Sequence, residues 1–266
     1  MTTTQKIIKY LAVAFALFLS INIISGICSA IFSVPYLFGK KDAGEMREYA
    51  IENDFTSLKI DINAADLEIR TGEKWKLETN HEYITCNEED ESLEIYGKKS
   101  FFAMNSRGMR VVLTVPEETV FEYVDLDVGV GEIFLDELSA NSLKLNLGVG
   151  DLDIEKLKVL HKAEIDSGIG DVSINDSQLF NAGIDMGIGE LNYTGALMEE
   201  SSIDYGIGET SLALTGNAED HQIKLDKGVG EARLDGRKMK DDSVYGGGSN
   251  RIDIDGGIGD LDITFQ

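Results

Sequence analysis

Basic residues, cysteines, prolines and histidines are all scarce in this chain of 266 residues. It holds 24 Lys and Arg against 48 Asp and Glu, which gives a formal net charge of -24. A surface with this excess of negative charge repels the phosphates of nucleic acids and of anionic lipids. We therefore expect no nucleic-acid partner.

The few cysteines and histidines indicate no reactive centre. Cys28 lies in an apolar stretch and Cys86 is alone in the remainder, so no disulfide is available within the polar part. His81, His161 and His221 have neither metal-ligand spacing nor a nucleophile motif around them. Acids are plentiful, but they are spread evenly along the chain. We expect no enzyme, and a polysaccharide-active β-helix enzyme is the least favoured alternative.

One long apolar run stands near the start of the chain. No charged residue occurs between Tyr10 and Phe38, which is enough to cross a bilayer as a helix. The alternative is a signal peptide cleaved after the small residues that end at Ala30, although apolar residues continue beyond that point. The sequence predicts a short tail over 1–9, a transmembrane anchor over 10–38 and a linker over 39–57. Charge counts on the two flanks leave the orientation open.

A motif of two glycines around one aliphatic residue recurs through the rest of the chain. Its central Val or Ile falls at 130, 149, 169, 188, 207, 229 and 258, and an outlying copy occupies residues 60–69. The spacing is 19 or 20 residues until insertions lengthen the last two steps. A fixed period near twenty residues is typical of a solenoid. No helix and no GK[ST] follows any copy, which excludes a phosphate-binding loop.

Each repeat has the pattern of two short strands joined at a corner. In "LKLNLGV" (143–149) apolar residues take every second place, and the alternation restarts out of phase at Leu152. Glycine suits the corner because it adopts positive φ and lets neighbouring backbones approach closely. The motif's central residue is predicted to point inward, so that Ile169, Ile188 and Ile207 form an apolar ladder. The predicted corner glycines are Gly148, Gly150, Gly168, Gly170, Gly187, Gly189, Gly206 and Gly208.

The predicted fold is therefore all-β, a single-domain solenoid resembling a parallel β-helix with 19–20 residues per coil. It covers residues 58–266 behind one N-terminal transmembrane helix. Irregular coils are expected over 58–122 and regular repeats over 123–266. The irregular coils would cap the N-terminal end of the stack, which would otherwise expose strand edges.

Acidic residues flank the corner on both sides and form two outward columns. The first acid column is Asp61, Asp127, Asp166, Asp185, Asp204, Asp226 and Asp255, with Asn146 as the exception. The second acid column is Asp66, Glu132, Asp151, Asp171, Glu190, Glu209, Glu231 and Asp260. Stacked coils would set like charges about 4.8 Å apart, which costs about 1 kcal/mol per pair in water.

Three arrangements would offset this repulsion. They are hydrogen bonds from corner amides, raised pKa values and bound divalent cations. All three stay open from the sequence, and no cofactor is otherwise expected. For Ca²⁺ or Mg²⁺, the candidate ligands are Asp166, Asp171, Asp185, Glu190, Asp204 and Glu209.

Three stretches together resemble a known family. They are "LKIDINAADLEI" (58–69), "VVLTVPEE" (111–118) and "LKLNLGVGDLDI" (143–154). The resemblance covers roughly residues 50–266 and is to a bacterial adhesin-like family, a domain of unknown function. It implies a β-solenoid behind one membrane helix, an extracytoplasmic location and, for some members, an association with envelope stress. It carries over no ligand residues.

Two loops are candidate contact sites. The insertion 236–250 places Arg237, Lys238 and Tyr245 on a predicted flexible loop, and the loop 99–109 contains Phe101 and Phe102. Each has a structural alternative, as a tolerated insertion or as a cap over the first coil. The C-terminal coil, which ends near Phe265, is expected to expose a strand edge and to allow self-association.

The favoured function is a membrane-anchored, extracytoplasmic binding or scaffold module at the bacterial cell envelope. Its partner would be an envelope component or a membrane protein. The main alternative is a regulatory element that responds to divalent cations through the acid columns.

Overall fold

The structure is a computed structural model that describes residues 44–81, 83–97 and 108–266, all within one compact unit. No helix within these ranges is long and apolar enough to span a membrane. The predicted anchor over 10–38 lies outside the described residues. So do Phe101 and Phe102.

The described chain consists almost entirely of strands, which confirms the all-β prediction. A single short 3₁₀ helix occurs within it, at Ala218–Asp220. The strands are β1 (Arg47–Ala50), β2 (Ser57–Ala64), β3 (Asp66–Gly72), β4 (Lys76–Thr79), β5 (Ile84–Glu89), β6 (Ser92–Gly97), β7 (Arg110–Pro116), β8 (Phe121–Val130), β9 (Ile133–Val149), β10 (Leu152–Ile169), β11 (Val172–Phe180), β12 (Ala182–Ile188), β13 (Leu191–Met198), β14 (Glu200–Ile207), β15 (Thr210–Leu214), β16 (His221–Val229), β17 (Ala232–Leu234), β18 (Arg237–Lys238), β19 (Ser243–Gly246), β20 (Asn250–Ile258) and β21 (Leu261–Phe265).

The strands stack as parallel coils, and each coil has a strand before its glycine corner and a strand after it. Asp166 pairs with Asp185 before the corner, and Val172 pairs with Leu191 after it. Both pairs are 19 residues apart, so the register confirms the predicted period. The long strands β9 and β10 each supply the second half of one coil and the first half of the next.

The coils do not stack in chain order at the C-terminal end. Strands β20 and β21 pair with β14 and β15 on one side and with β16 and β17 on the other. The last coil in the sequence is therefore an interior coil. The expectation that it exposes an edge is wrong, because both of its edges are already hydrogen-bonded.

Antiparallel strands close both ends of the stack. At one end the outermost parallel coil is formed by β6 and β7, and β5 and β4 pair against them. At the other end β19 and β18 pair against β16 and β17. The N-terminal end also carries an aromatic cluster in which Trp75 contacts Phe55 and Phe121 edge-on. Antiparallel pairing thus covers part of the outermost parallel coil at each end.

The inward residues of both sets of strands form one continuous apolar core. Leu143, Leu145 and Leu147 are buried, as the alternation predicts. The central residues of the corner motif differ from the prediction. Ile169 stacks on its equivalents in neighbouring coils, but it is only partly buried, and Val229 is 53% exposed. The reason is that the chain turns at this position, so the side chain lies at the rim of the core.

Candidate functional site

The glycine corners allow neighbouring coils to approach at backbone distance. Gly170 has φ of +140°, and a Cβ built there would lie 1.8 Å from the carbonyl oxygen of Gly150. A Cβ on Gly168 would lie 2.4 Å from the carbonyl oxygen of Gly148. No other residue fits such contacts. The eight corner glycines singled out in the sequence all occupy these two positions of the corner.

Backbone hydrogen bonds continue through the corners. The amide of Gly170 donates to the carbonyl of Ile188 at 2.9 Å, and the amide of Val172 donates to the carbonyl of Glu190 at 2.8 Å. The two strands of each coil are thus held in one register across the turn. This fixes the two acid columns on either side of the corner.

The second acid column is tied into this backbone. The Oδ1 of Asp151 accepts a hydrogen bond from the amide of Asp171 at 3.0 Å, and the Oδ1 of Asp171 accepts one from the amide of Glu190 at 2.9 Å. Asp260 accepts the amide of Glu231 in the same way, at 2.7 Å. These charge-assisted bonds offset part of the repulsion between stacked acids. Their carboxylates cap the amides of the next coil.

The first acid column contacts mainly itself. Asp166, Asp185 and Asp204 are in register on the outer surface of β10, β12 and β14. Partial burial raises the pKa of Asp166, and so do a hydrogen bond to the Asp185 carboxyl and its charge. Burial and the Asp204 carboxyl raise the pKa of Asp185. Neighbouring carboxyl groups thus add electrostatic repulsion at Asp166 and Asp185.

An open groove runs beside the first acid column. It encloses about 890 Å³ and crosses six coils, or about 24 Å at the usual spacing between strands. Each of these coils contributes an outward Asp or Asn and, two residues later, a glycine with no side chain. The glycines form the floor, and they are Gly129, Gly148, Gly168, Gly187, Gly206 and Gly257. We name this feature the glycine groove.

The glycine groove did not emerge from the sequence analysis, although its pattern is present there. Both Asp166 and Gly168 face outward because they are two residues apart on one strand. When this Asp-x-Gly spacing recurs in register, the glycines form a row without side chains next to a row of carboxylates. The first glycine of each motif therefore has two roles, one at the corner and one in the floor of the groove.

The candidate metal ligands are divided between the two columns. Asp166, Asp185 and Asp204 stand along the groove, whereas Asp171, Glu190 and Glu209 stand on the other side of the corner. Within the described ranges, no three His, Cys, Asp or Glu side chains converge as ligands for one metal ion. A cation would thus have two neighbouring carboxylates of one column and water as ligands.

The 236–250 insertion forms a cap and not the flexible loop that was predicted. Arg237 and Lys238 form β18, and the Lys238 ammonium lies 3.0 Å from a carboxylate oxygen of Glu231. Tyr245 lies in β19 and packs against the core, while Met239 is buried. Its strands β18 and β19 pair with β17 and β16 of the outermost coil.

Together these features define a class of protein, a parallel β-solenoid with a charged surface groove. A family model described as Toastrack DUF4097 matches residues 51–255. The chain belongs to this family, which confirms the resemblance found in its sequence. No curated protein matches the chain.

Several solved structures are similar over most of their length. A provisionally named cell adhesion protein from Clostridium sporogenes is 16% identical, with 84% of this chain and 99% of that chain covered and a TM-score of 0.32. A provisionally named adhesin from Parabacteroides distasonis is 13% identical, with coverage of 84% and 98% and a TM-score of 0.42. A provisionally named lipid binding protein from the same species is 14% identical, with coverage of 84% and 96% and a TM-score of 0.40. These scores are low, so the family assignment depends on the family model.

Proposed function

We propose that this chain is a membrane-anchored binding or scaffold module of the adhesin-like kind. It presents its β-solenoid on the extracytoplasmic side of a bacterial envelope and binds a partner there as part of the response to envelope stress. The observation that carries the proposal is the glycine groove. Carboxylates in register beside a floor of glycine backbone suit an extended partner with cationic groups.

The different use of the two acid columns supports this role for the groove. The carboxylate of Asp171 accepts a hydrogen bond from the amide of Glu190, so its charge stabilises the fold. Asp166 and Asp185 are partly buried beside other carboxyl groups, and their raised pKa values mean that the charged form of each carries a free-energy cost. A cationic ligand would relieve that cost, and binding would thereby gain free energy.

The test is co-sedimentation of residues 43–266 with purified envelopes from the source bacterium. Parallel samples contain calcium or a chelator, because the two conditions separate two kinds of ligand. Binding that survives chelation supports a module that holds an envelope component directly. Absence of binding in both conditions contradicts the proposal.

A second candidate function is a response to divalent cations. The raised pKa values of Asp166 and Asp185 favour it, because closely spaced carboxylates attract Ca²⁺ or Mg²⁺ as well as protons. Binding to envelopes that is lost on chelation would favour this candidate. The cation would then link the groove to its partner.

The membrane topology needs a separate test. Burial, and then the charge of Glu88, raise the pKa of the Cys86 thiol to about 11, so this cysteine reacts slowly at neutral pH. Ser211 is exposed on β15 and is a better position for a label. A membrane-impermeant maleimide should label a Ser211→Cys chain in intact cells. Labelling that requires lysis would contradict an extracytoplasmic solenoid.

A further inference from the structure

The coil formed by β20 and β21 occupies a slot between two coils that precede it in the chain. Ile207 of β14 pairs with Ile258, and Ile258 pairs in turn with Val229 of β16. The coil's inward residues Ile252 and Leu261 are fully buried. The flanking coils are thus neighbours in sequence but not in space.

Both walls of the slot offer the same backbone pattern as any other corner. The amide of Gly208 donates to the carbonyl of Ile258 at 2.9 Å, and the amide of Gly259 donates to the carbonyl of Val229 at 2.9 Å. An equivalent bond joins Gly189 to Ile207 at 3.0 Å in the regular stack. Backbone pairing alone would therefore accept a coil from another chain.

Two exposed opposite-charge pairs add a small preference for this coil. Arg251 of β20 lies 3.3 Å from Glu200 on one wall, and Asp253 lies 3.9 Å from Lys224 on the other wall. If the two walls closed on each other, Glu200 would face Gln222 in the same register. That closed arrangement would lose both opposite-charge pairs. These two pairs therefore favour insertion of residues 250–265 over closure of the slot, by a small amount.

The connection to this coil allows exchange once its two cap strands have unpaired. Residues 235–249 separate β17 from β20, and β18 and β19 within this connection pair with β17 and β16. Exchange therefore requires these two short strands to unpair first. The two flanking coils precede this coil in the chain and are synthesised first. The coil therefore inserts after both have formed, or it pairs with β14 and β15 before β16 and β17 dock onto it. At that stage an identical coil from a second molecule competes for the same slot.

We propose that residues 250–265 are an exchangeable coil, and that a second copy of this chain can supply it to the slot. The proposal concerns self-association and is independent of the groove's ligand. The sequence also predicts self-association through the C-terminal coil, but through an exposed strand edge. Here the coil itself inserts between strands of the second molecule, which is a known mode of β-sheet recognition.

The test uses disulfide trapping in full-length chains, kept in detergent and with Cys28 and Cys86 replaced by serine. Ser202 and Asp253 are exposed register partners on β14 and β20, at a separation that suits a disulfide. A tagged Ser202→Cys chain and an untagged Asp253→Cys chain are unfolded, mixed and refolded under oxidation. We expect a covalent heterodimer whose yield rises with protein concentration.

The control pair comes from the regular stack, where coils follow chain order. Glu164→Cys and Gly183→Cys chains carry register partners on β10 and β12. Exchange there would require several coils to leave together, so the heterodimer yield should be at least about tenfold lower. No heterodimer from the first pair, or equal yields from both pairs, would overturn the proposal. A single chain with both Ser202→Cys and Asp253→Cys should close its disulfide internally when diluted, and failure to do so would also overturn it.

Discussion

The two acid columns carry charges of the same sign at the same spacing, yet the fold uses them differently. In the second acid column, Asp151 and Asp171 accept amide hydrogen bonds from the next coil. In the first acid column, partial burial and neighbouring carboxyls raise the pKa values of Asp166 and Asp185. A column of charge is thus stabilising or costly according to which backbone donors it can reach.

The difference follows from position relative to the corner. At the turn, the amide of residue 190 points along the stack toward Asp171, so a short carboxylate can accept it. Before the turn, the amides of β12 are already paired within the parallel ladder. Asp185 therefore finds carboxyl groups as neighbours. We infer that the second acid column serves stability and the first serves binding.

The largest expected effect comes from deforming the corner that separates the columns. Gly170→Ala would place a Cβ 1.8 Å from the Gly150 carbonyl oxygen at a positive φ. We expect a loss of more than about 4 kcal/mol in the free energy of unfolding, measured by urea denaturation. Gly183→Ala is the matched control, because its Cβ would contact only the Ser202 hydroxyl, at 3.7 Å. A similar loss in both variants would contradict the account of the corner.

The next effect separates hydrogen bonding from charge in the second acid column. Asp171→Ala removes the acceptor for the Glu190 amide, and we expect a loss of about 1 kcal/mol in urea denaturation. Asp171→Asn also removes the charge but keeps an acceptor oxygen, so its loss should be smaller. If the asparagine variant lost as much as the alanine variant, charge and not the hydrogen bond would explain the effect.

A smaller effect of opposite sign is expected in the first acid column. Asp185→Asn removes one repulsive charge, and we expect a gain of a few tenths to about 1 kcal/mol at pH 7, because exposed charges are screened. A raised folded pKa costs its full amount of stability above that pKa, and the cost disappears below the unfolded pKa. The gain should therefore shrink as the pH falls from 7 through the raised pKa toward the unfolded value of about 3.9. A gain independent of pH would contradict this explanation.

The smallest effect concerns cations. If calcium binds along the first acid column, a concentration equal to the Kd stabilises the fold by about 0.4 kcal/mol, which raises the melting temperature by about 1 °C. Asp185→Asn should reduce the shift, and potassium chloride of equal ionic strength should not reproduce it. An unchanged melting temperature in millimolar calcium would remove the cation-responsive candidate.

The sequence predicts the local features of this fold well, because they depend on short spacings. Period-two alternation identifies the inward residues Leu143 and Leu145, and the interval from Ile169 to Ile188 equals the observed register. The requirement for glycine at Gly170 also follows from its place between two strands. Each of these inferences needs only one repeat and its neighbour.

Long-range order could not be predicted in the same way. The segments 226–232 and 255–261 carry nearly the same motif, so the pattern fits either order of stacking. The charges that favour insertion, Arg251 with Glu200 and Asp253 with Lys224, become visible only once the register is known. The glycine groove could not be predicted for a related reason, because it exists only when six coils are in register.

We propose that the first acid column binds an envelope component and that the second acid column stabilises the fold. The most direct test compares two double variants, Asp185→Asn/Asp204→Asn and Asp151→Ala/Asp171→Ala, in both envelope co-sedimentation and urea denaturation. We predict that the first variant loses envelope binding at undiminished stability, and that the second loses stability but still binds while it is folded. Equal losses of binding in the two variants, or lower stability only in the first, would contradict the claim.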